Sequence, residues 1–271
     1  MSGGSIGGIS RCTEPARDES AMLIAEGVSK NFGGIKALNC VWLRILRGSI
    51  TGVIGPNGAG KTTFFNIVSG FHAPSEGRVL LNGQDITGLR AHHIARMGVS
   101  RTFQVIRLFP FMTVLENVLV GQNRNVAHGL ASLFHSLRSG KEAKLKDRAM
   151  ELLDFVGLAD HRDALAGELS YGSQRRLELA RAVAADPALL LLDEVTSGMT
   201  YQESMDIVER VRILRDKGCT VLVIEHDMNF IRKICDHVVV LNFGCKIMEG
   251  TPLQVQRNPE VVEAYLGKDY Q

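Results

Sequence analysis

The stretch Gly55-Pro-Asn-Gly-Ala-Gly60-Lys61-Thr62 lies between a short apolar run, Ile50–Ile54, and a segment of helical pattern that continues to about Ser69. It fits G-x-x-x-x-G-K-[ST], and a strand before it and a helix after it are the context that gives the spacing its meaning. The glycines let backbone N–H groups turn inward around a phosphate chain, and the helix that follows offers the positive end of its dipole. Lys61 is then placed for the β- and γ-phosphates and the Thr62 hydroxyl for Mg2+. A strand of this kind belongs in a parallel sheet covered on both faces, with its ligands at the carboxyl ends of the strands.

Two downstream features narrow the chemistry. The apolar run 189–192 ends in Asp193-Glu194. A buried strand would hold Asp193 rigidly beside the loop, where a carboxylate binds Mg2+ through water. Glu194 could then orient or deprotonate an attacking water. Alone, such a pair would cap a helix equally well. Leu169-Ser170-Tyr171-Gly172-Ser173 opens a helix shortly before that run. A second small-residue phosphate loop implies two chains closing over nucleotide, each lending its loop to the other. His226, after the apolar Thr220–Ile224, could donate a hydrogen bond to the γ-phosphate, although a lone His is more often structural. Gln104, after a strand near 99–103, could touch Mg2+ or the attacking water, although a single Gln is usually a surface residue.

The remaining chain organises around these motifs. Val41, Leu43 and Ile45 alternate as in a half-buried strand, and 78–81 runs into Asn82-Gly83 as into a hairpin. This early part reads as a β-rich face. From about 105 to 186 the pattern turns helical: Thr113-Val-Leu-Glu116 forms a capping box, and Leu145, Ala149, Leu152, Leu153 and Val156 share a stripe. Residues 122–125, Gly129 and Gly140 read as loops. Arg138, Lys141, Lys144, Lys146 and Arg148 read as a solvated helix face. After Asp186-Pro187 strands and helices alternate again, with Thr200-Tyr-Gln-Glu203 capping one helix and Asp227 starting another.

Composition sets limits on partners. The 271 residues carry a net charge of +2, which argues against nucleic acid as the main partner. The five cysteines form no CxxC pair and read as reduced packing residues. His92, His93, His128 and His135 show no ligand spacing. No apolar run is long enough to span a membrane, and the Gly/Ser-rich residues 1–20 read as a disordered tail without a signal-peptide core. A cytoplasmic protein is expected.

Together these motifs resemble the ATP-binding cassette (ABC) ATPases over 22–267. The resemblance implies an α/β P-loop NTPase fold with a parallel core sheet, an N-terminal antiparallel β subdomain and a helical subdomain at about 105–186, all within one domain at 21–271. It implies that Gly55, Pro56, Asn57, Gly58, Ala59, Gly60, Lys61, Thr62 and Thr63 bind ATP and that Phe32 stacks on adenine. Thr62, Gln104 and Asp193 would hold Mg2+; Glu194, His226 and Gln104 would be catalytic. Ser170 and Gly172 would reach the partner's ATP, and Ser197-Gly-Met-Thr200 would be the D-loop. Arg101-Thr-Phe-Gln104-Val-Ile-Arg-Leu-Phe109, Arg175-Arg176-Leu-Glu178, Ile224-Glu-His-Asp-Met228 and Asn258-Pro-Glu-Val-Val-Glu-Ala-Tyr-Leu-Gly267 are similar to the LivG-type subunits of branched-chain or neutral amino-acid importers. Such subunits imply a second ATPase subunit, two membrane permeases met near Gln104 and the helical subdomain, an external binding protein, and a place on the cytoplasmic face of the inner membrane.

Three positions depart from the family pattern: Ser173 stands for Gln, Val195 for Pro, and Met199-Thr200 for Leu-Asp or Leu-Asn. A regulatory subunit with a slow site, a lipid or polysaccharide exporter, and a soluble ABC protein acting on ribosomes or chromosomes are the alternatives; the last needs tandem cassettes or long inserts that 271 residues do not hold.

Overall fold

The structure, a computed structural model, describes residues 20–122 and 141–266. The expected tail at 1–19, the loop positions 123–125, Gly129 and Gly140, and Cys12, His128, His135 and Arg138 lie outside the described residues.

Four uninterrupted apolar segments build the centre: β3 (Ile50–Ile54), β7 (Leu189–Asp193), β8 (Thr220–Ile224) and β9 (His237–Asn242). With β6 (Val99–Arg101) and β10 (Cys245–Gly250) they form one sheet in the order β10-β9-β3-β8-β7-β6. All neighbours run parallel except β10, which returns antiparallel along β9. The sequence pattern did not show that reversal. Its cause is the two-residue Phe243-Gly244 connection, with φ of 43° and 78°, which permits only a hairpin.

Strand residues alternate between two cores because successive side chains leave opposite faces of a strand. Val53, Leu189, Leu191, Leu222, Ile224, Val239 and Leu241 join α1 (Lys61–Val68) and a second sheet through Phe64, Phe65, Val28 and Leu43. Ile54, Leu190, Leu192, Val221, Val223, Val238 and Val240 face the other way. They meet Val118 of α3 (Val114–Gly121), Leu153 of α4 (Lys141–Phe155), Ala180 of α5 (Tyr171–Val183) and Val211 of α6 (Tyr201–Asp216). Each fully buried Leu, Ile, Val or Phe contributes roughly 1.5–3 kcal/mol.

The second sheet is antiparallel, in the order β2-β1-β4-β5, from β1 (Ala21–Phe32), β2 (Ile35–Leu46), β4 (Glu76–Leu81) and β5 (Gln84–Asp85). Val41, Leu43 and Ile45 are buried on one face, as their alternation predicted. Among the described residues between 105 and 186 the regular elements are α3, α4, α5 and two short 3-10 turns. Ala149, Leu152 and Leu153 are buried along α4 and Val156 just past its end, but Leu145 is exposed, one turn earlier on the helix. Lys144, Lys146 and Arg148 are exposed, in line with a solvated face. The other helices among the described residues are α2 (Ala91–Arg96), α7 (Met228–Ile234), α8 (Pro252–Gln256) and α9 (Pro259–Leu266).

Candidate functional site

The loop between β3 and α1 is shaped by close backbone neighbours. Gly55 has φ 147°, and a Cβ there would lie 2.0 Å from the Leu241 carbonyl oxygen. Gly60 has φ 101°, with the Ala37 carbonyl oxygen 2.6 Å from any Cβ. Neither backbone position admits a side chain. The Gly244 N–H donates to the Ala59 oxygen (3.1 Å), so the β9–β10 turn braces the loop from behind. At the start of α1 no side chain caps the helix and no acidic residue occupies the first turn. Its N–H donors and dipole therefore suit an anion. Lys61 is buried, and its Nζ donates to the carbonyls of Gly55 (2.6 Å) and Pro56 (3.0 Å). Burial lowers its pKa, while Glu194 and Asp193 pull it back up. The phenol of Tyr265, on α9, meets the Gly55 backbone, and burial raises its pKa.

The carboxyl end of β7 stands beside this loop. Asp193, only 4% exposed, accepts a 2.7 Å bond from Nη2 of Arg101, which also holds Asn66 and Ser69 on the α1 side. The rings of Phe65, Phe71 and Phe103 surround that guanidinium. Glu194 has φ 48°, a left-handed backbone rare outside glycine, and its N–H donates to the Ile224 oxygen (2.9 Å). Its Oε2 accepts from Nε2 of Gln104 at 2.9 Å. His226, just beyond β8, is exposed and lines a cleft of about 330 Å3 with Thr196, Ser197, Gly198 and Glu225. Glu225 is 1% exposed, and its Oε1 accepts from the N–H (3.1 Å) and hydroxyl (2.9 Å) of Thr196.

Ser170 is the N-cap of α5, accepting from the Ser173 N–H (3.3 Å). Gly172 is buried, and a Cβ on it would fall 2.0 Å from Oε1 of Glu203. Phe32, at the end of β1, rests edge-on against His72 at 5.3 Å.

The family model described as ABC transporter matches residues 38–197, from β2 past Asp193 and Glu194 to Ser197. The chain belongs to the ABC transporter family. A second family model, for branched-chain amino acid ATP-binding cassette transporters, matches 245–271 of this cassette. BraF of Pseudomonas aeruginosa, a high-affinity branched-chain amino acid transport ATP-binding protein, is 44% identical over 91% of this chain and 98% of its own. LivG of Escherichia coli, which bears the same description, is 43% identical over 91% and 98%. An ABC-transporter cassette solved in its ADP conformation superposes with a TM-score of 0.81 at 36% identity, covering 92% of this chain and 99% of that one. A dimeric cassette solved after hydrolysis with ADP and Pi gives 0.73 at 28% identity, over 85% and 99%. The cassette thus has the P-loop NTPase fold expected from its motifs.

Within the cassette, the structure brings Lys61, Asp193, Glu194 and Gln104 to one place, with His226 at its edge. Ser170 and Gly172 open α5, and Phe32 lies against His72. The departures from the family pattern have local explanations. Ser173 accepts from Arg176 (3.0 Å) and from the Ser170 hydroxyl (3.1 Å). Val195 is fully buried in the core. Thr200 caps α6 in a box with Glu203, a role Ser, Thr, Asp and Asn all fill. Sequence reasoning read Arg101, Glu225 and Tyr265 only as parts of longer motifs and gave none of them a role of its own. A lone Arg inside a β-strand was the signal available for Arg101. Among the described residues, Cys219, Cys235 and Cys245 are free thiols, and no group of three His, Cys, Asp or Glu side chains is arranged around a metal.

Proposed function

We propose that this cassette is the ATP-binding and hydrolysing subunit of an importer for branched-chain or other neutral amino acids, acting as a head-to-tail dimer. The observation that carries the reading is the 2.9 Å bond from Gln104 to Glu194 at the end of β7, beside the Lys61 loop. It gives the loop a carboxylate held ready for water. Relatives at 43–44% identity supply the transport context.

In this reading the loop 55–63 binds the phosphates of ATP through backbone N–H groups and Lys61, and Phe32 meets the adenine. The Thr62 hydroxyl, the Asp193 carboxylate and Gln104 are hard oxygen donors of the kind Mg2+ takes, and the ion would neutralise phosphate charge there. Glu194 accepts a proton from water as the water oxygen bonds to the γ-phosphorus and the bridging oxygen leaves with ADP. His226 donates to the γ-phosphate, and Ser170 and Gly172 reach the ATP of the partner subunit.

Val105, which follows Gln104 in the chain, and Phe111 are 75% and 91% exposed and offer apolar surface for the two permeases. The external binding protein acts through the permeases, and no nucleic acid is involved. Among the described residues no helix is long and apolar enough to cross a membrane. The permeases would therefore hold the cassette at the cytoplasmic face of the inner membrane. We read 21–271 as one ABC domain and 105–186 as its helical arm. Glu194→Gln in the assembled transporter should lower ATP turnover by roughly 10²–10⁴ and accumulate an ATP-bound dimer, read by turnover assay and light scattering. Wild-type turnover in that variant would remove Glu194 from its role.

A further inference from the structure

Tyr171, Arg175 and Glu178 follow one another at i, i+4 and i+7 along α5, so the helix stacks them on a single face. Arg175 is 1% exposed, and all five of its N–H donors are used. Nε donates to the Tyr171 hydroxyl (3.1 Å). Nη1 donates to the Phe103 oxygen (2.9 Å) and to Oε2 of Glu178 (3.1 Å). Nη2 donates to the Gln104 oxygen (2.5 Å) and again to Tyr171 (2.9 Å). Glu178 returns to the same segment by accepting from the Phe103 N–H at 3.3 Å.

The tyrosine carries the connection onward. Its hydroxyl, having accepted from Arg175, donates to the Ser197 oxygen at 2.9 Å. Its ring lies over Gly198, where a Cβ would come 3.0 Å from Cε1. One network, centred on the buried Arg175, therefore joins three segments distant in the chain: the backbone of Gln104, the start of α5, and the loop 197–198 that follows Glu194.

We propose that Tyr171 and Arg175 are positioning residues that lock the Gln104 loop to the 197–198 loop, so that a displacement of one is passed to the other. This rests on the proposed function, in which both loops flank the hydrolytic site. The physical reason is saturation. A guanidinium with every donor satisfied and no access to water loses buried hydrogen bonds if either loop moves alone. Moving the loops together with the start of α5 keeps them all. Because the Gln104 side chain holds Glu194, the lock also fixes the orientation of the base.

Arg175 itself is a poor probe, because removing it strands the buried Glu178 carboxylate. Tyr171 is 43% exposed, and Tyr171→Phe deletes only the hydroxyl. In the full-length chain, this variant should speed hydrogen exchange at both 103–105 and 196–199. Faster exchange at 196–199 alone, or at neither, overturns the proposal, and this arm needs no ATP. In the transporter with its permeases, kcat for ATP should fall about ten- to a hundredfold while KM stays within about twofold. In a Gln104→Ala background the same change should cost less than about twofold, because the path runs through Gln104. Independent, multiplying losses would reduce the network to a structural bolt and refute the relay. A wild-type transporter that fails to hydrolyse ATP would instead sink the proposed function, leaving the exchange result to decide the lock.

Discussion

A carboxylate beside Glu194 would repel it if both were ionised, and Glu225 is placed where ionisation is costly. Burial raises its pKa, and the charge of Glu194 adds to the shift, against hydrogen bonds from Thr196. Between the ordinary carboxylate pKa and this raised value, the folded chain holds a proton that the unfolded chain has released. Stability therefore falls as pH rises through that window. Glu225→Gln removes the penalty. Its melting temperature should match wild type below about pH 4 and exceed it progressively as pH rises, as followed by calorimetry. A constant offset at every pH would contradict this. Such a residue was hard to find from sequence although it adjoins His226. Gly55 with Lys61, and Asp193 with Glu194, stand out in the sequence because each pair belongs to a pattern only a few positions long. Arg101, by contrast, reaches Asp193 only because β6 lies beside β7, with Arg101 opposite Leu191. No local pattern encodes that pairing.

Among the elements, helix starts were the most readable. The boxes at Thr113 and Thr200 both form, because a hydroxyl and a carboxylate three residues apart satisfy two backbone donors reciprocally. The same grammar in Thr251-Pro-Leu-Gln254 went unread and caps α8. Thr200→Ala should destabilise the cassette by about 1 kcal/mol, whereas Thr200→Asp should stay within a few tenths, measured by urea denaturation. Equal losses would show that the hydroxyl does more than cap. The bounds of β3 and β8 follow their apolar runs. Leu145 failed because periodicity marks a face of a helix but not how far along it the packing extends. The exposed turn Asn82-Gly83 was legible because both residues take positive φ, a demand that Asn and Gly meet at little cost.

Across the whole molecule, helices α3 to α5 share one continuous core with a face of the central sheet, through Val118, Leu153, Ala180 and Leu190. Leu153→Ala should cost about 2–5 kcal/mol. It should lower exchange protection in α4 and β8 by the same amount, giving one unfolding transition. Loss confined to α4 would mean that the helical segment opens by itself. The strand order carries a different consequence. β3, which feeds the phosphate loop, is flanked by β8 and β9, and all the chain from α1 to α6 must be made before either neighbour exists. At ordinary ribosomal speed that interval is on the order of ten seconds. During it both edges of an apolar strand stand unpaired, an invitation to mispairing with other nascent chains. The cassette therefore acquires its nucleotide site only after β8 and β9 have been made, and its yield in the cell should depend on synthesis rate and on chaperones that bind unpaired strands.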